Sequence, residues 1–188
     1  MAIKIFIDQG HNPVNPNAGA EGNGYREQDI TYDVGTRLAA LLRGDPEFSV
    51  RLSRTAPSQV LGQNNTQSLA ARVDAANAWD ADYFISLHTN AASSPGANGS
   101  EGLVYSLDGE AANFAFYLVR GLVDATGFTY RGIIARPGLY VLRKTRMPAV
   151  LVEMGFITNP GDARVMGERP ELVARGLYNG IVKYFGLG

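Results

Sequence analysis

Cysteine is absent from this chain and histidine nearly so, with His11 and His88 its only two. The lack of cysteine excludes disulfides, thiolate metal sites and a cysteine nucleophile. It does not fix the redox compartment. An excess of charge of one sign is also lacking: 17 Lys and Arg stand against 18 Asp and Glu, for a net charge of −1. That balance removes the basic footprint of a nucleic-acid binder or of a polybasic membrane contact. No apolar run approaches the roughly 20 residues of a membrane span, so no membrane insertion is expected. The opening MAIKIFIDQGH has neither the charged leader nor the cleavage site of a signal peptide. It admits export by another route, excision from a longer chain, or retention inside the cell.

What the chain does contain is an alternation of strand-like and helix-like segments. Its 188 residues suit one domain, residues 1–188, with a single substantial core. IKIFID, FSVRLS, DYFISLH, GLVYSL and PAVLVEMGF read as strands, the last ending at Glu153, and LYVLRKT as a short strand. Helical spacing is expected from about Gln28 to Leu42, across QSLAARVDAANAWDAD, from about Gly109 to Ala125, and from Pro170 onward. A further helix starts at Asn159, with Pro160 in its first turn. NPVNPNAGAEGNGYRE reads as one long loop. Several strands are continuous apolar runs, as in a sheet covered on both sides. The expected fold is α/β, with a mostly parallel sheet of about five to six strands and helices on both faces.

In such sheets ligands bind at the carboxyl ends of the strands. Asp8 and His11 follow the first strand, His88 the third, and Glu153 the run AVLV. Glu27 opens the first helix. Two neutral imidazoles and a carboxylate hold zinc with a fourth position open to water, whose pKa falls toward ~7. A further carboxylate then takes the proton of that water. His11, His88, Glu27 and Glu153 supply this set with none to spare. Blander readings stand beside it. A histidine at a strand end is often only hydrogen-bonded, and Glu27 would suit a helix dipole. Glu153 is harder to dismiss, because a buried carboxylate needs a partner: the water of a metal site, or Arg143 or Arg146. A triad built on Ser86 and Asp8 would leave one histidine and Glu153 idle. No G-x-S-x-G, P-loop or G-x-G-x-x-G pattern occurs.

The ordered set IDQGH, GAEGNGYREQD, RVDAANAWDADYFISLHTNA, EGLVYS and LYVLRKTRMPAVLVEMGFITNP resembles the zinc-dependent N-acetylmuramoyl-L-alanine amidases of bacterial cell walls. The likeness runs from about Ile3 to Phe185. It implies an amidase-like catalytic domain with Zn2+ held by His11, Glu27 and His88, and with Glu153 as the catalytic residue. Glu21 is a weaker competitor for the Glu27 role. The resemblance implies hydrolysis of the amide between the lactyl group of N-acetylmuramic acid and L-alanine. Asn90 and Arg131 would contact the glycan or stem peptide, or serve only their loops. Peptidoglycan is the implied partner, the cell wall or exterior the implied location, and a monomer the implied state. SSPGANGSEG is too short to hold an occluding helix, so an open groove is expected. A zinc peptidase or deacetylase and a non-catalytic wall-binding module are the competing readings. An intact Glu153 speaks against the last.

Overall fold

The computed structural model describes residues 2–187. In chain order they form β1 (Ile3–Gln9), a hairpin of β2 (Glu21–Gly22) and β3 (Tyr25–Arg26), α1 (Glu27–Arg43), β4 (Phe48–Leu52), α2 (Asn65–Ala78) and β5 (Tyr83–Asn90). There follow β6 (Ser100–Val104), α3 (Glu110–Thr126), β7 (Tyr130–Ala135), α4 (Tyr140–Lys144), β8 (Ala149–Phe156), α5 (Pro160–Glu168) and α6 (Pro170–Tyr184). Six strands make one sheet in the order β4-β1-β5-β8-β6-β7. Its ladders are parallel except where β6 runs against β8. The α/β class and the two-sided helix cover are therefore as expected.

The period-2 alternation of strand side chains divides the core in two. One face presents Ile5, Ile7, Ile85, Leu87, Val150 and Val152 to α1, α3 and α6. The other presents Phe6, Phe84, Leu151 and Leu103 to Val73 and Ala76 of α2 and to Val141 and Leu142 of α4. This second cover is short, since α4 has only five residues. Along this face the ladder registers define three rows. Phe6, Phe84 and Ala149 make an apolar row; Asp8, Ser86, Leu151 and Leu103 make a mixed one; His88, Glu153 and Glu101 make a wholly polar one. Polarity rises toward the edge that the helices leave open.

Four expectations need correction. LYVLRKT is not a strand: it turns into α4, which lets the adjacent Val141 and Leu142 both be buried. A strand would send one of them to each side. The edge strand β7, in TYRGIIA, was not expected at all. β8 does not stop at Glu153 but runs on to Phe156, so Glu153 stands inside the ladder opposite His88. The long loop holds a two-residue hairpin turn, with Asn23 at φ 52 and Gly24 at φ 83. Those angles are the Asn-Gly signature of a type I′ turn. The cap of α5 is as expected: the Asn159 side chain accepts from the amides of Gly161 and Asp162, and Pro160 follows.

Candidate metal centre at the open edge of the sheet

Glu27, His88 and Glu153 are delivered by regular elements, and His11 by a turn. Glu27 is the first residue of α1, and the preceding loop folds back over it. The Ala20 amide donates to Glu27 Oε2 (2.9 Å) and the Thr89 amide to Oε1 (2.9 Å). His88 sits in β5, and His11 follows a tight turn at the end of β1, in the left-handed region with φ 67. Gly10 lets the two histidines approach: a Cβ there would lie 2.6 Å from two atoms of the His88 ring.

His11 Nε2 lies 3.2 Å from Glu27 Oε1, and His88 Nδ1 lies 3.1 Å from the same oxygen. One ligand atom from each of the three residues falls within 4.8 Å of the other two. Two imidazole nitrogens and one carboxylate oxygen are the donor set of a zinc site with an open fourth position, so the residues present fit that metal. Burial works against the Glu27 charge. The hydrogen bonds from His11 and His88 outweigh it and hold the carboxyl well below the usual carboxylate range. Burial likewise disfavours a charged His88, yet Glu27 raises its pKa above the ordinary value.

Glu153 faces this cluster from β8. Its Oε2 is buried and without a hydrogen-bond partner among the described residues, so neither Arg143 nor Arg146 satisfies it. Burial pushes its carboxyl up to about 7; His88 opposes the rise, and Glu27 and Glu101 add to it. Glu101 is a site residue that the sequence reading missed. It is buried beside Glu153 in the antiparallel ladder, where the expected loop hid it. Asn90 Nδ2 donates to its Oε1 (2.9 Å) and Arg131 Nε to its Oε2 (3.2 Å). Both residues expected near substrate thus reach the site row, anchored to one carboxylate.

Two acids stand apart. Asp8 points below the metal cluster, where Arg72 Nη1 donates to Oδ1 (2.6 Å) and Ser86 Oγ to Oδ2 (2.7 Å). Ser86 and Asp8 therefore bond directly, with no imidazole between them, and no triad forms. Glu21 lies in the hairpin, exposed and 3.6 Å from Arg26. Between α2, α4 and the two histidines lies a cavity of about 140 Å³, with Leu69, Leu139, Tyr140, Val141 and Leu151 as its apolar lining.

A family model described as N-acetylmuramoyl-L-alanine amidase matches residues 5–183. The chain is 34% identical over 189 residues to the N-acetylmuramoyl-L-alanine amidase CwlM of Bacillus licheniformis, spanning 98% of this chain and 70% of that protein. It is 35% identical over 189 residues to the sporulation-specific N-acetylmuramoyl-L-alanine amidase of Bacillus subtilis (strain 168), spanning 98% of this chain and 69% of that one. Among solved structures, the catalytic domain of CwlV, an N-acetylmuramoyl-L-alanine amidase from Bacillus (Paenibacillus) polymyxa var. colistinus, superposes with a TM-score of 0.85 at 28% identity, covering 99% of each chain. The match spans both histidine strands and both candidate carboxylates, and by it the chain belongs to the N-acetylmuramoyl-L-alanine amidase family.

Proposed function

We propose that this chain hydrolyses the amide between the lactyl group of N-acetylmuramic acid and L-alanine in peptidoglycan, with zinc held by His11, Glu27 and His88. The observation that carries the reading is the buried Oε2 of Glu153, without a partner among the described residues, beside three converging donors. Zinc, when bound, supplies a Lewis acid that polarises the scissile carbonyl and acidifies water. The chain's own groups do the rest. His11 and His88 bind as neutral imidazoles. Glu27 is aimed in advance by the amides of Ala20 and Thr89. Glu153 takes the proton of the attacking water and returns it to the leaving nitrogen of L-alanine. Without the metal, burial pushes its carboxyl up to about 7; a bound cation would draw it down toward the form that accepts the proton of water. Asn90 and Arg131, held by Glu101, border the open edge and contact the glycan or stem peptide. The chain acts as a monomer at the cell wall, where this substrate is found.

Purified protein incubated with zinc and peptidoglycan should generate new L-alanine amino termini. Absence of those termini defeats the reading. Other new amino termini would point to a zinc peptidase instead, and released acetate to a deacetylase.

A further inference from the structure

Arg72 has no part in the chemistry just described, yet it is among the most buried side chains of the protein, 1% exposed. A buried guanidinium is costly unless its donors are met. Here four acceptors meet its two terminal nitrogens, while Nε has no partner among the described residues. Nη1 donates to Asp8 Oδ1 (2.6 Å) and to the Gln9 carbonyl (2.7 Å). Nη2 donates to the His11 carbonyl (2.7 Å) and to Asn12 Oδ1 (3.2 Å). All four lie in the five residues centred on the turn that carries His11. That histidine holds φ 67, a conformation that costs a non-glycine residue roughly 1–3 kcal/mol unless its surroundings impose it. Asp8 in turn accepts from Ser86, two residues before His88 on β5. One guanidinium thus ties α2 to the backbone under one histidine and, through Asp8, to the strand of the other.

We propose that Arg72 is a positioning residue for the metal centre: its planar fork fixes the Gln9–Asn12 turn so that the His11 ring meets Glu27 and His88. Arg72 acts through the backbone of the turn, at the carbonyls of Gln9 and His11. The inference rests on the metal site proposed above, and the test separates the two. Zinc affinity is measured by chelator competition on wild type and Arg72→Lys, with the visible spectrum of the Co2+-loaded protein read in parallel. Lysine keeps the charge but replaces the fork by a single point. Arg72→Lys that is folded by circular dichroism should bind zinc about 10–100-fold more weakly, as when partners of metal ligands are removed, and shift the cobalt bands. A merely structural arginine would lower the unfolding temperature of the chelated protein while leaving affinity and spectrum alone. Zinc affinity within about twofold of wild type, with unchanged cobalt bands, overturns the proposal, since that is far below the loss expected. Should Arg72→Lys not fold, the double variant Asp8→Asn with Arg72→Gln decides. It removes the fork without leaving a buried charge unpaired, so zinc binding should weaken several-fold, and an unchanged affinity again overturns the proposal. A wild type that binds no zinc overturns the metal site itself, and this inference with it.

Discussion

Gly10→Ala is a one-carbon change aimed at the closest approach in the site. The added Cβ would lie 2.4 Å from the Leu87 carbonyl oxygen and 2.6 Å from Cε1 and Nε2 of His88. Relaxed contacts of this kind sit near ~3.5 Å or beyond, so the overlap is on the order of 1 Å. The carbonyl has little room to retreat, because the Gly10 amide donates to it at 3.0 Å. The His88 ring or the end of β1 must move instead. Overpacking of this degree costs about 1–3 kcal/mol. In a chain of this length that lowers the unfolding temperature by about 2–12 °C. If ~1.4 kcal/mol of the strain bears on the ring's metal-binding position, zinc affinity falls tenfold. The control is Gly138→Ala, where a Cβ meets nothing within 4 Å. Thermal unfolding with chelator and zinc titration of both variants form the assay. Identical behaviour of the two would refute the reasoning that Gly10 is required by the His88 ring.

Glu153→Gln should keep its zinc and lose activity on peptidoglycan by roughly 10²–10⁴-fold, the usual contribution of a positioned acid–base group; wild-type release of amino termini would remove Glu153 from the mechanism. His88→Ala should lose the metal, and an unchanged zinc content by elemental analysis would refute the ligand assignment. Acid stability of the chelated protein depends on Asp8. Burial favours the neutral form of Asp8, but Arg72 and Ser86 outweigh it and hold its carboxyl below the ordinary range. The unfolded chain therefore binds this proton first, near pH ~3.9. The stabilisation is complete above that pH and is lost as the pH falls through the lower native value. Asp8→Asn should flatten the acid limb of an unfolding series below about pH 4. It should also cost about 3–5 kcal/mol at neutral pH by leaving Arg72 unpaired. Equal acid limbs for variant and wild type would sink this account.

The sites legible in the sequence were those whose chemistry interrupts an apolar run. IFIDQGH and YFISLH could hardly be anything but buried strands, so their histidines had to emerge at one edge. Glu153 announced itself as a carboxylate at the end of an apolar run, in need of a partner. Glu101 did not, because SSPGANGSEG is rich in loop-forming residues, and a strand that reverses direction leaves no mark in local composition. That LYVLRKT forms a helix, and TYRGIIA a strand where none was expected, has a physical cause. Apolar runs this short have too few periods to distinguish 2.0 from 3.6, and tertiary packing decides. β7 is further disguised by Gly132 at φ 100, where the ladder shifts register beside Glu101. Arg72 was not legible: nothing local in α2 says that this arginine faces inward, and the burial of its partner Asp8 emerges only in the fold. The Asn-Gly turn at Asn23 was a readable signal that a long-loop reading passed over.

The reversed strand has a consequence for how such a protein can diversify. Because β6 runs against β8, the chain leaves the sheet at Asn90 and re-enters it at Ser100 on the same edge, beside Glu153. A connection between parallel strands must cross the whole sheet, usually as a helix, and its length is bound up with the packing. This one is free of that duty. Doubling its length costs only ~0.6 kcal/mol of closure entropy. New sequence inserted there arrives at the open edge of the sheet, beside Glu153, while every ladder stays in register. Segment 91–99 is thus a natural grafting point, where evolution or an engineer can add a module that screens or selects substrates and leave the catalytic scaffold as inherited.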